Sequence, residues 1–179
     1  GHDITAGLEY DHEYLKHYML KDSSDAKVGV GAFFAQDEWC LHEKFRLIGG
    51  LRWDYHKNYK SNFSPKVSLM YSPVKDYLTI RAGYSHGFRA PSLKELYEAY
   101  NMGGMNLFII YGNKDLKPER SNQFTLSTET NIRDFNLTFS AYHNLFKDKI
   151  VFRYIRPDSQ DIQYVNADKA LTTSFEAVM

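Results

Sequence analysis

The chain has one cysteine, Cys40, in 179 residues, so neither an intrachain disulfide nor a cysteine metal cluster is available to it. It has no excess of charge: 22 Lys and Arg balance 22 Asp and Glu, which removes the basic footprint of a nucleic-acid binder. No apolar run approaches the roughly 18 residues of a membrane-crossing helix, and no basic then apolar leader opens the chain. No nucleophile–base pair, phosphate loop or partnered carboxylate pair is present, so catalysis is not expected. The exclusion of a membrane stops at helices. A strand crosses a bilayer with about 9–11 residues that alternate apolar with polar, and its mean hydropathy stays low. The value here, -0.51, suits a soluble sheet or an outer-membrane one.

Aromatic residues are abundant, at 16% with 14 Tyr and 12 Phe, and that enrichment favours strands. Phe45 to His56 alternates most cleanly. Phe45, Leu47, Gly49, Leu51, Trp53 and Tyr55 share one face; Arg46, Ile48, Gly50, Arg52, Asp54 and His56 share the other. The same period of two predicts eight strands, at 3–10, 29–41, 45–56, 63–72, 77–86, 121–132, 135–155 and 161–178. Short connections (42–44, 73–76, 133–134) alternate with longer ones, of which 11–28 and 87–120 are the longest. That pattern fits an all-β, antiparallel, up-and-down transmembrane barrel with tight turns at one end and long extracellular loops at the other. The rival is a soluble β-sheet binding domain or adhesin-like surface module whose apolar face is a core. Aromatics near strand ends (Trp39, Trp53, Tyr55, Tyr71, Tyr77, Tyr84) favour the membrane girdles of the barrel. The chain opens inside one strand-like stretch, HDITAGLEY, and stops inside another, ALTTSFEAVM, and so reads as a piece of a longer protein.

Between strands lie GFRAPSLKELY (87–97) and YGNKDLKPERSNQFTLSTE (111–129), followed by YHNLFKDKIVF and YVNADKALTTSFE. In this order the segments resemble the TonB-dependent outer-membrane receptors, whose barrel carries an FRAP box, Phe88-Arg89-Ala90-Pro91 here, and then an NPDL box, Asn113-Lys114-Asp115-Leu116 here. Lys114 departs from the usual Pro, and Ser174 stands where Gly often precedes the Phe-Glu step. The resemblance implies a bacterial outer-membrane location and part of a 22-stranded barrel, about eight strands of it, with the plug domain absent. It also implies active uptake of a scarce nutrient: a ferric siderophore or other iron chelate, or haem. The implied partners are outer-membrane lipid and, through the plug, the TonB energy-coupling complex. The resemblance implies no resident cofactor and no catalytic or metal-ligating residue. Arg46, Arg52, Asp54, Lys66 and Arg81 would then line the lumen and face the plug. A strand-sheet piece taken alone has unpaired edges and is not expected to fold stably in water.

Within 87–120, Pro91 must end its strand because it cannot donate to a ladder. Ser92 then caps a short helical turn with Glu95 at the capping-box position. Leu93, Leu96, Tyr97 and Tyr100 fall on one helical side, and Arg89 is placed to pair with Glu95. The two boxes are expected to fix the exit and re-entry of the insertion more than to touch ligand. Ligand-contact candidates are His17 and Tyr18, beside His12 and Met19 in the first loop, and Met102, Met105, Phe108 and Tyr111 at the insertion's apex. Soft sulfur and aromatic groups suit a flat apolar ligand such as haem, or packing over the barrel mouth. No His lies in 92–112, which weighs against haem. His86 is expected on the aromatic rim.

Overall fold

In the computed structural model of the chain, residues 1–16, 20, 25–102, 108–133, 135–158 and 160–179 are described. Eight long strands form the body: β1 (His2–Lys16), β2 (Asp25–His42), β3 (Phe45–His56), β4 (Lys60–Val74), β5 (Leu78–Arg89), β8 (Glu119–Ile132), β9 (Phe135–Tyr154) and β10 (Ile162–Val178). Between β5 and β8 come a short helix, α1 (Leu93–Tyr97), and two four-residue strands, β6 (Ala99–Met102) and β7 (Phe108–Tyr111). All ten strands belong to one sheet, ordered β1-β2-β3-β4-β5-β8-β9-β10-β7-β6. Each long strand pairs antiparallel with its sequence neighbour, the up-and-down order the alternation predicts. The two extra strands were not legible as strands. They form a hairpin whose β7 runs parallel to the start of β10.

The first connection is much shorter than the expected loop over 11–28. Pairing continues to Lys16 opposite Asp25. Tyr10, His12 and Tyr14 keep one face there, while Asp11 and Glu13 keep the other. A ladder that rises above the apolar zone is wet on both faces, so its polar composition resembles a loop although every ladder hydrogen bond persists.

Register carries each face across the sheet. Leu47, Leu69, Ala82, Leu126, Ala141 and Phe175 are successive cross-strand neighbours. Gly50, Lys66, Ser85, Gln123, Asn144 and Thr172 form a parallel row on the opposite face. The apolar face is uncovered: Leu8, Leu51, Phe63, Leu126, Phe139 and Phe175 are all exposed, Phe175 by 82%. Water around so much contiguous apolar surface is strongly unfavourable; hydrocarbon is the solvent that suits it. Paired rings sit on this face, Phe45 stacked on Tyr71 at 4.5 Å and Tyr84 tilted against Phe124 at 5.2 Å. One acid intrudes, Asp37, held by His2 at 2.7 Å beside Trp39.

Among the described residues the buried apolar set is small: Leu20, Val28, Ala32, Leu93, Leu96 and Leu116. It comes from the insertion, from the polar face of β2 and from Leu20 of the β1–β2 connection, which bridges to Glu98. Among the described residues the conventional core is therefore a cap at the long-loop end, where the insertion folds over the sheet.

Candidate functional site

The insertion leaves β5 at Arg89 and re-enters at Glu119, which are direct cross-strand partners. Arg89 binds them together. Its Nε donates to Glu119 Oε2 at 2.8 Å, and its two terminal nitrogens donate to the two oxygens of Glu95 at 2.9 and 3.1 Å. Glu95 is the third residue of α1 and closes the capping box: Ser92 N–H donates to its Oε2 at 2.7 Å, and Glu95 N–H donates to Ser92 Oγ at 3.3 Å. Glu119 uses its other oxygen to accept Ile150 N–H at 2.6 Å. One guanidinium thus joins the strand exit, the helix start, the strand re-entry and, through Glu119, β9. The planar fork of Arg suits this divergent set of carboxylates better than a point charge would. Pro91 is buried, and β5 ends just before it at Arg89, as expected. The helix is shorter than the apolar spacing suggests. It stops at Tyr97, and Tyr100 belongs to β6, because Glu98 is already extended, with ψ of 143°.

The second box is a knot of hydrogen bonds. Asn113 N–H donates to Glu95 O at 2.8 Å, its side-chain amide donates to Tyr164 O at 3.1 Å, and its Oδ1 accepts Asp115 N–H at 2.9 Å. Leu116 is buried, and its carbonyl accepts the Tyr59 hydroxyl at 3.0 Å. Burial pushes the Tyr59 phenol up in pKa, with Tyr97 and Glu95 close enough to add to the shift. Asp115 itself is exposed, and Lys114 lies over the Tyr97 ring at 5.5 Å, an interaction the usual Pro could not make. The third segment completes the clamp. Asn166 Oδ1 accepts Lys117 N–H at 2.8 Å, while its amide donates to Lys117 O at 2.9 Å and Asp148 O at 2.7 Å. Asp161 accepts Ile109 N–H at 2.8 Å and tethers β7.

Gly112 shows how closely the chain returns on itself. A Cβ there would lie 2.8 Å from Glu98 N, Leu96 C and Tyr97 N, all backbone atoms that cannot swing away. Gly112→Ala is therefore expected to push the second box off α1 and cost about 1–3 kcal/mol of local stability. Amide exchange of Gly112 and Asn113, whose N–H groups bond to Glu98 O and Glu95 O, should accelerate about fivefold or more; unchanged protection would show that the close approach is not maintained in solution.

Of the ligand-contact candidates, His17, Tyr18 and Met105, with Met19, lie outside the described residues, as does the side chain of Met102. Phe108 and Tyr111 do not sit on an open apex: they are half-buried in β7, with Tyr111 opposite Gln163 of β10. His12 falls on the apolar face of β1, away from the cap. His86 lies on the same outer side as Tyr84, both bonded to Asn122 Oδ1, at 3.1 and 2.8 Å. The sequence pattern missed a hollow of about 500 Å³ at the cap, lined by Leu15, Leu20, Lys94, Glu98, Tyr100 and Tyr164. It draws on β1, the insertion and β10 together, so no local pattern points to it. Its size falls within the range of small-molecule sites.

Arg46, Arg52, Asp54, Lys66 and Arg81 do share the polar face. Arg52 reaches Glu9 and Asp54, both at 2.8 Å; Arg46 reaches Glu38 at 2.8 Å and Arg81 reaches Glu129 at 2.9 Å. Lys66 is exposed and forms no ion pair among the described residues. No group of His, Cys, Asp and Glu that could hold a metal occurs among the described residues.

The family model for the "TonB dependent receptor-like, beta-barrel" matches residues 2–178. The iron-regulated outer membrane virulence protein of Vibrio cholerae serotype O1 is 41% identical over 155 residues, which is 83% of this chain and 23% of that protein. The chain thus spans about a quarter of the length of that curated relative. The crystal structure of the siderophore receptor PirA from Pseudomonas aeruginosa superposes with a TM-score of 0.85 at 25% identity, over 98% of this chain and 35% of the other. The Serratia marcescens hemophore receptor HasR, solved with its hemophore HasA and heme, superposes at 0.82 with 17% identity, over 99% and 36%, and shares the fold.

Proposed function

The chain belongs to the TonB-dependent receptor β-barrel family, and on that premise we propose that it is a segment of an outer-membrane receptor for the active uptake of a ferric siderophore or another iron chelate. The observation that carries the reading is the braced cap. Arg89 and Asn166 hold the insertion across the long-loop end of the sheet, and the 500 Å³ hollow beneath it offers Tyr100, Tyr164 and Lys94 to a ligand. Aromatic faces and an ammonium suit an anionic chelate with flat ligating arms. The iron-regulated relative and the siderophore receptor neighbour support the same class. The polar face, with Arg46, Arg52, Asp54, Lys66 and Arg81, would line the lumen and seat a plug. TonB acting on that plug would supply the energy.

The test is binding by the complete receptor in detergent. Quenching of intrinsic fluorescence by a ferric tris-catecholate, a ferric hydroxamate and haem is measured in parallel. Saturable quenching by one ferric chelate is expected, weakened about tenfold or more when Tyr100 and Tyr164 are both replaced by Ala. Quenching by haem alone, or a double variant that binds like the parent, would overturn the reading.

A further inference from the structure

Phe88, Arg120, Lys147 and Lys169 fall in one cross-strand row across β5, β8, β9 and β10. The row continues the apolar face. It follows directly after His86, Asn122, Leu145 and Leu171, which occupy the next outward-facing register positions. Three cations therefore stand side by side on the side of the sheet that meets lipid. All three are exposed, and none of their side chains forms an ion pair or hydrogen bond among the described residues. Asp148 and Asp168, their neighbours in sequence, do not neutralise them.

Like charges directly opposite one another destabilise a sheet. Adjacent strands place such residues about 4.5–5.5 Å apart at Cα, so an anion from outside the chain would relieve the repulsion. Height identifies it. Along tilted strands, Arg120 lies about 30 Å above the tight turn at Arg133. That is just past an outward apolar band about 25 Å tall, at the level of the outer-leaflet headgroups. Lys147 and Lys169 also line a hollow of about 390 Å³ with Leu145 and Leu171. Phosphate would meet the cations above, and an acyl chain would meet the leucines below. The same end of the outer face carries Lys27 and Lys57 around a second hollow with Tyr10 and Tyr55.

We propose that Arg120, Lys147 and Lys169 form a binding site for the phosphorylated headgroup of an outer-leaflet glycolipid. The site is separate from the cap and independent of which iron chelate the receptor carries. It fixes lipid against β8–β10, beside the strands that clamp the insertion.

The complete receptor, extracted in mild detergent, is incubated with lipid A bearing two phosphates, with its dephosphorylated form, and with inorganic phosphate. Retained ligand is read by native mass spectrometry. The parent receptor is expected to retain the diphosphorylated lipid at least tenfold better than the dephosphorylated one. The triple variant Arg120→Gln, Lys147→Gln, Lys169→Gln is expected to lose that preference, and the charge-keeping variant Arg120→Lys, Lys147→Arg, Lys169→Arg to retain it. Heat-modifiable migration on gels shows in each case that the barrel is folded. Equal retention by the folded triple variant would overturn the site. So would retention of inorganic phosphate as tight as that of the lipid, since the leucine hollow would then contribute nothing.

Discussion

A receptor carrying Leu126→Arg assembles poorly in the outer membrane, while Thr125→Arg, one residue away, assembles as the parent does. Leu126 is 53% exposed on the apolar face and lies about 15 Å above the tight turn, near the middle of the bilayer. An Arg there costs about 2–4 kcal/mol, a factor of roughly 30–1,000 in the equilibrium. Thr125 is at the same depth but faces the polar side, opposite Gly83, which leaves room for a longer side chain. Leu51→Arg on β3 repeats the first result. The fraction of heat-modifiable barrel in isolated outer membranes measures the effect. Normal assembly of Leu126→Arg and Leu51→Arg, or a defect in Thr125→Arg alone, would mean that the two faces are assigned the wrong way round.

Replacement of Arg89 by Ala frees the insertion without unfolding the barrel. Arg89 is nearly half exposed, so its ion pairs are screened and individually modest. The carboxylates it serves are not: the Glu95 and Glu119 side chains are 14% exposed. Without the guanidinium, two largely desolvated carboxylates remain side by side, one of them still needed to cap α1. Hydrogen bonds to charged groups contribute about 1.5–3 kcal/mol each. After screening, a local loss of about 2–3 kcal/mol is expected, enough to raise the open population of the insertion 30-fold or more. Protease cleavage within 90–118 should accelerate accordingly, chelate affinity should fall, and heat-modifiable migration should stay normal. Arg89→Lys should recover only part of the protection, because an ammonium cannot present two forks at once. Unchanged cleavage in Arg89→Ala would remove Arg89 from its place as the brace of the insertion.

The two boxes illustrate how far local chemistry carries. Ser92 and Glu95 stand three residues apart, and that spacing alone predicts the capping box found in α1. Pro91 alone predicts the end of β5. The alternation of β3, Leu51 against Arg52, reveals which side chains share a face, since the pleat repeats every two residues whatever surrounds it. The same locality misleads where solvent changes: Asp11 to Lys16 looks like a loop, yet the ladder continues. The β6–β7 hairpin was illegible because four-residue strands carry too little pattern and lean on β10 for their hydrogen bonds.

The sequence by itself determined the eight long strands, their two faces, their antiparallel order and the start of the insertion, because each depends on residues within a few positions of one another. Only the tertiary structure decided that Asn166 grips Lys117, that Tyr100 and Tyr164 share a hollow, and that Arg120, Lys147 and Lys169 stand in one row. Those meetings join residues up to 64 positions apart. They follow from the register of whole strands, to which every ladder hydrogen bond contributes and which no single segment specifies.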